Sequence, residues 1–116
     1  IDASNMNMSM PGITGHRSPL GISFDTTGKL CGDYHKQGFF LSYGSLPQSG
    51  FADQGQDLVF LQLTKGASAY TMKATILAKG LKSPMDSVLV GNRLFTVGIS
   101  NAAMAPIYMI VLPTAP

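Results

Sequence analysis

Residues Lys79 to Ser100 read Lys-Gly-Leu-Lys-Ser-Pro-Met-Asp-Ser-Val-Leu-Val-Gly-Asn-Arg-Leu-Phe-Thr-Val-Gly-Ile-Ser. Two apolar runs, Val88 to Val90 and Leu94 to Ile99, flank Gly91-Asn92-Arg93, and a Gly-Asn pair between such runs is typical of a β-hairpin. Pro84 has no amide donor, so it belongs at the first residue of a strand. This stretch therefore predicts two antiparallel strands.

The rest of the chain repeats this pattern of short apolar runs between polar turns. Further strands are predicted at Pro19 to Asp25, Gln37 to Tyr43, Asp57 to Leu63, Tyr70 to Ala78 and Ile107 to Leu112. The continuous apolar run Leu58 to Leu61 predicts a strand that is covered on both faces. Alternation in Tyr70 to Ala78 predicts a strand with one face in water.

No stretch has a sustained period of 3.6 residues, so the seven predicted strands indicate an all-β fold. Their spacing gives four strands from Pro19 to Ala78 and three from Met85 to Leu112. Four consecutive antiparallel strands make one blade of a β-propeller, so about two blades are expected in residues 16–116, the second short by one strand. A seven-stranded immunoglobulin-like sandwich is the alternative fold. Residues 1–15 are expected to form a loop or tail.

Composition limits the functions that the chain can have. Only 12% of its 116 residues are charged and 45% are hydrophobic, which favours a secreted or extracellular protein. The formal charge of +2 is spread over isolated residues, so nucleic acid is not an expected partner. The longest apolar run is far shorter than the roughly 20 residues of a membrane-spanning helix. No membrane span is therefore predicted.

The N-terminal region and the single cysteine give three further expectations. The chain begins at Ile1 without an initiator methionine or a signal-peptide pattern, which suggests a processed product. Asn7-Met8-Ser9 is an N-glycosylation acceptor sequence, so Asn7 is expected to carry a glycan in a secreted chain. Cys31 has no partner for an internal disulfide and is expected to be a partly buried free thiol.

Four motifs follow one another along the chain. They are His16-Arg17-Ser18-Pro19-Leu20-Gly21-Ile22-Ser23-Phe24, Phe39-Phe40-Leu41-Ser42-Tyr43-Gly44-Ser45, Gly80-Leu81-Lys82-Ser83-Pro84-Met85-Asp86 and Ile107-Tyr108-Met109-Ile110. In this order they resemble the C-terminal portion of the glucose/sorbosone dehydrogenase-like proteins, which are six-bladed quinoprotein propellers. The resemblance covers Gly15 to Pro113.

The resemblance implies oxidation of an aldose or a sugar alcohol by pyrroloquinoline quinone, with calcium assisting. This quinone carries three carboxylates, so its site requires cationic side chains. The candidate cofactor contacts in this portion are His16, Arg17 and Lys82. The chain departs from the family where basic anchors are usual, with Ser83 and Met109 in place of arginines. No catalytic or metal-ligating residue is assigned here, and the residues themselves support neither cofactor.

Several other polar residues have a structural explanation. Asp33 and His35 belong to a polar loop, and Asp86 is expected to cap a turn. The aspartates do not have the spacing of a calcium-binding loop; they are Asp25, Asp33, Asp53 and Asp57. The alternation of Met6, Met8 and Met10 is typical of one face of a strand or tail.

Two functions are therefore open. The chain is either the last part of a secreted, quinone-dependent sugar dehydrogenase or a noncatalytic extracellular propeller that binds carbohydrate or protein. Both interpretations predict a companion polypeptide, because two blades leave apolar faces and strand edges uncovered. We expect a strand of that companion to pair with the edge beside Ile107 to Leu112 and to hold the chain in a ring.

Overall fold

The computed structural model describes residues 17–44, 55–99 and 105–115. Its strands are β1 (Pro19–Phe24), β2 (Gly38–Ser42), β3 (Asp57–Lys65), β4 (Tyr70–Lys79), β5 (Pro84–Val90), β6 (Arg93–Gly98) and β7 (Ile107–Val111). Within these residues the only helix is a single 3-10 turn, Gly32–Tyr34, between β1 and β2. The all-β prediction is confirmed. The expected tail at 1–15, and the parts of two predicted loops at 45–54 and 102–104, lie outside the described residues.

The strands form two antiparallel sheets in the order β1-β2-β3-β4 and β5-β6-β7. Each sheet is a simple meander, in which strands that are consecutive in sequence are hydrogen-bonded neighbours. In a Greek-key sandwich several connections cross from one sheet to the other, whereas here only the β4–β5 connection does so among the described strands. The structure thus confirms four plus three strands in the order of consecutive propeller blades, and the two sheets do not close into a ring.

The apolar content of each strand matches its place in the sheet. Leu58 to Leu61 of β3 are all buried, as predicted for a strand covered on both faces. The alternation of β4 is confirmed as well: Ala74 is buried, whereas Lys73 and Thr75 beside it are exposed. Tyr70 differs from the expectation, because its side chain is 65% exposed at the start of the strand.

The predicted hairpin joins β5 and β6 through the two-residue turn Gly91–Asn92. Gly91 has φ +63°, and glycine reaches this left-handed region at no steric cost. Asn92 also ties the turn to the end of β7, because its backbone C=O accepts from the Leu112 N–H at 2.8 Å and its Nδ2 donates to the Leu112 C=O at 3.0 Å. Pro84 is the first residue of β5, as predicted.

The two sheets stack through β5, which lies against β1 and β2. At the closest approach a Cβ on Gly21 would lie 2.7 Å from the Asp86 Cα, so only glycine permits this distance. The Ser23 and Ser87 hydroxyls meet 2.9 Å apart across the same junction. A shared core fills the space between the sheets; it contains Leu30, Phe39, Leu41, Leu58, Phe60, Leu81, Leu94 and Leu112.

The segment after β7 returns to the first sheet and closes this core. Leu30 pairs with Thr114 in an antiparallel bridge, and the Cys31 N–H donates to the Pro113 C=O at 3.2 Å. Leu30 and Leu112 are both buried beside this contact. The β1–β2 connection and the C-terminal segment therefore hold the two sheets together at one end.

Candidate functional site

The two sheets have four edge strands, and three of them carry features that discourage pairing with another chain. β1 has Pro19 and a register shift at Gly21, β4 carries Lys73 and Lys79, and β5 contains Pro84 and Asp86 as well as a register shift. β7 reads Ile-Tyr-Met-Ile-Val and has no proline, charge or register shift. It is the one unprotected edge among the described strands.

The backbone of β7 offers hydrogen-bonding groups on that edge. Because the Leu112 N–H donates to Asn92, antiparallel alternation directs the backbone groups of Tyr108 and Ile110 toward β6 as well. The N–H and C=O groups of Ile107, Met109 and Val111 then point away from β6, where no described strand pairs with them. Farther along this edge, the Cys31 N–H already donates to the Pro113 C=O.

A cavity of about 340 Å³ lies next to the C-terminal segment that follows β7. Its sheet wall is formed by side chains of β3 and β4, in which Phe60 pairs with Thr75 and Gln62 pairs with Lys73. Tyr34 closes one side, with its ring centroid 4.8 Å from that of Phe60. The remaining lining residues are Cys31, Gly32, Asp33, Leu77 and Pro113. The wall is thus aromatic and apolar at its base and polar at its rim.

The outer face of the β5-β6-β7 sheet is the second exposed feature. We define it by three cross-strand rows: Asp86, Val97, Ile107; Val88, Phe95, Met109; and Val90, Arg93, Val111. Five of these side chains are more than half exposed, namely Ile107 (71%), Val111 (61%), Val90 (59%), Val88 (54%) and Met109 (53%). A groove of about 350 Å³ runs across the first two rows. Contiguous exposed apolar surface of this kind marks an interaction site.

Arg17, a predicted cofactor contact, is only 2% exposed and lies at the junction of β2 and β3. Its Nη2 forms an ion pair with the Asp57 carboxylate, and its Nε donates to Ser42 Oγ at 3.2 Å. The Arg17 C=O also accepts from the Gly44 N–H at 2.9 Å. The described contacts of this guanidinium are therefore inside the protein, where the arginine compensates a fully buried carboxylate.

The other predicted site residues are not gathered around Arg17 by any described contact. Lys82 is exposed in the turn before β5, and it lines none of the cavities described above. His16 and the glycosylation candidate Asn7 lie outside the described residues, so their roles stay predictions. Since a quinone with three carboxylates needs several converging cations, the described residues do not fit that cofactor. We therefore derive no catalytic step from it.

Asp25 is the other buried carboxylate, at 2% exposure, and it organises the β1–β2 connection. Its two oxygens accept the N–H groups of Lys29, Leu30 and Lys36 at 3.1 to 3.2 Å. Thr27 Oγ1 donates to it at 3.3 Å. Burial by itself raises the pKa of Asp25, but these hydrogen bonds outweigh burial, and the net result is a pKa below its usual value.

The remaining candidates have structural roles, and one of these differs from the prediction. Asp33 lies in the 3-10 turn, and His35 Nδ1 is 3.1 Å from the Leu30 C=O. Asp86 was expected to cap a turn but lies within β5, where its Oδ1 accepts the N–H of the next residue, Ser87, at 2.8 Å. Cys31 is a partly buried free thiol, as predicted. In residues 17–44, 55–99 and 105–115, no three His, Cys, Asp or Glu side chains group as a metal site requires.

Sequence reasoning missed two residues that the structure makes important. In the sequence Asp57 is the first residue of a predicted strand and one of four scattered aspartates, whereas in the structure it is the buried partner of Arg17. A charged residue immediately before the apolar run Leu58 to Leu61 is the signal that could have identified it, since a charge at a buried strand end requires a partner. Tyr34 was assigned to a polar loop, and no local pattern indicates its contact with Phe60.

Comparison with known proteins leaves the family open. The chain matches no protein-family model, no curated protein and no solved structure. The relation to glucose/sorbosone dehydrogenase-like propellers therefore stays a prediction based on the four motifs. In the part of the chain that the structure describes, no helix is long and apolar enough to cross a membrane.

Proposed function

We propose that this chain is a noncatalytic, extracellular protein-binding module built from two propeller-like sheets. In this proposal, a strand of a companion polypeptide adds to the free edge of β7 and completes the second sheet. The observation that carries the proposal is the contrast among the four edges: β7 alone lacks proline, charge and register shift. Addition of a strand to an exposed edge is a common mode of peptide recognition.

The cavity beside the C-terminal segment supports the same proposal. A strand that pairs with Ile107, Met109 and Val111 would extend the sheet over β3 and β4. Alternate side chains of that strand would point toward Phe60 and Tyr34, which offer an apolar base. Carbohydrate stays a prediction for the same cavity because of its polar rim, and it would compete with the strand for this place.

The noncatalytic part of the proposal rests on the charged residues. Arg17 is engaged by Asp57 and Ser42, and Lys82 is exposed in the turn before β5. We expect the intact protein to give little or no dye-linked oxidation of aldoses when pyrroloquinoline quinone and calcium are added. Clear turnover of an aldose would instead support the sugar dehydrogenase function.

Hydrogen exchange on protein from its native source tests the strand addition. The amides of Ile107, Met109 and Val111 should exchange slowly in the native material and fast in the 116-residue chain produced alone. The amides of Tyr108 and Ile110 are the internal control, because they point toward β6 and should be protected in both samples. Denaturing mass analysis of the native material should also show a second, larger polypeptide.

Two results would contradict the proposal. One is fast exchange at all three outward amides in the native material, which would mean that nothing pairs with the edge. The other is native material that contains this chain alone and yet protects the same amides, which would mean that the chain covers its own edge.

A further inference from the structure

The outer face defined above is distinct from the β7 edge, and it raises a separate question. A strand that adds to the edge widens the sheet, but it leaves the side chains of this face uncovered. Seven of the nine side chains in the three rows are apolar. Only Asp86 and Arg93 are charged, and both are exposed. The position of these two charges indicates what covers the face.

Asp86 and Arg93 lie at opposite ends of the face. Asp86 belongs to the first row and Arg93 to the third, with the Val88–Phe95–Met109 row between them. Two rows correspond to four residues of strand, or about 14 Å. The two charges are therefore too far apart to pair within one chain, where a salt bridge requires contact within about 4 Å.

Two-fold symmetry would bring the same charges together between two chains. Consider a second copy that is rotated by 180° about an axis that lies in the plane of the face and crosses the strands. This rotation places the first row of one copy opposite the third row of the other. Asp86 of each copy then faces the Arg93 end of the other, offset by one strand, or about 4.8 Å, which the long arginine side chain can span. Such a self-complementary patch is the requirement for a two-fold interface.

We propose that the outer face binds a second copy of this chain, with the apolar rows packed face to face and Asp86 paired with Arg93 at both ends. The groove across the first two rows receives apolar side chains of the other copy. Sheets pack face to face at about 10 Å with the strands crossing at roughly 30°, and this geometry accommodates the offset between the charges. A face of nine side chains is small for a permanent dimer, so a dissociation constant in the micromolar range is expected.

Sedimentation equilibrium of the 116-residue chain tests the proposal over a range of about 1 to 200 µM, which brackets the expected dissociation constant. Asp86→Arg and Arg93→Asp should each weaken the dimer about tenfold, because each places like charges at both ends of the interface. The double variant Asp86→Arg/Arg93→Asp should return to within about threefold of the parent chain, since it restores both pairs. Lys65→Asp, an exposed charge reversal on the other sheet, is the matched control and should change nothing.

Met109→Lys should abolish the dimer, because it places a charge in the central apolar row. Far-UV circular dichroism checks that every variant is folded. Three results would overturn the proposal: a folded monomer at the highest concentration, a dimer that survives Met109→Lys, or single reversals that the double variant does not rescue. A folded monomer would favour a sheet of a companion polypeptide as the occupant of this face.

Discussion

The four-stranded and the three-stranded sheet are built from similar strands, but they differ in how much of their surface this chain covers. In the first sheet β2 is buried along its whole length and β3 over its first five residues, and the carboxylates of Asp57 and Asp25 have internal partners. In the second sheet one face packs on the shared core, while the other exposes valine, isoleucine and methionine. The first sheet thus contains most of the buried side chains, and the second exposes more of the large apolar ones.

Two phenylalanines give the largest expected contrast between the sheets. Phe39 is fully buried in the shared core, with its ring centroid 5.6 Å from that of Phe60. Phe39→Ala should lower the free energy of unfolding by about 4 kcal/mol, because it leaves a cavity. Phe95 on the outer face is only partly buried, so Phe95→Ala should cost less, about 1 to 2 kcal/mol. Urea denaturation at low protein concentration measures both, and similar losses would mean that the outer face is covered within one chain.

Two arginines give the next contrast. Arg17→Met removes the partner of the buried Asp57 carboxylate, and breaking a buried pair from one side should cost about 3 kcal/mol. Arg93→Met, in the exposed third row, should change the stability of the monomer by no more than about 0.5 kcal/mol. Thermal unfolding of the two variants provides the measurement. If Arg17→Met were as stable as the parent chain, the ion pair would not stabilise the β2–β3 junction. That result would support the predicted cofactor role of Arg17 instead.

The sequence predicted the fold well, because the burial of each strand can be inferred from residues that are close together in the sequence. Alternation in β4, the continuous apolar run in β3 and the Gly91–Asn92 turn each depend on residues that are close in sequence. The 3-10 turn Gly32–Tyr34 could not be predicted in this way, because Asp25 holds the residues on either side of it, Leu30 and Lys36, from outside the turn.

The interaction surfaces were predicted only in part, for a physical reason. That Ile107 to Leu112 is apolar on both sides is visible in the sequence, and so is the edge strand. Which side chains share the outer face with Met109 depends on the register of three strands, and register is a property of the folded sheet. The pairing of Arg17 with Asp57 likewise joins residues 40 positions apart, and no local pattern encodes it.

Two glycines distinguish the cost of a steric clash between the sheets from the cost of local backbone strain. Gly21 has φ +61°, and a Cβ there would lie 2.7 Å from the Asp86 Cα, so Gly21→Ala should cost about 2.5 kcal/mol through strain and steric clash. Gly91 has a similar φ of +63°, but a Cβ there meets nothing within 4 Å. Gly91→Ala should therefore cost only about 1 kcal/mol. Equal losses, measured by chemical denaturation, would argue that β1 and β5 do not stack closely.

Two aspartates give the smallest expected contrast in stability, and the contribution of Asp25 to it depends on pH. The pKa of Asp25 is lowered in the folded chain, because hydrogen bonds from three backbone N–H groups outweigh the effect of burial. A lowered pKa means that the carboxylate stabilises the fold at every pH above its unfolded pKa of about 3.9 and loses this effect as pH falls through the folded value. Asp25→Asn should therefore cost about 2 kcal/mol at pH 6, and the difference from the parent chain should shrink toward pH 2.

Asp86→Asn is the matched control at an exposed carboxylate. Asp86 accepts one backbone N–H, so its replacement should change the stability of the monomer at pH 6 by no more than about 0.5 kcal/mol. Urea denaturation at several pH values compares the two variants with the parent chain. If the Asp25→Asn difference stayed constant down to pH 2, the carboxylate would not be the source of the stabilisation. The stability of the β1–β2 connection, and with it the end of the molecule where Leu30 meets Thr114, would then not depend on the ionisation of Asp25.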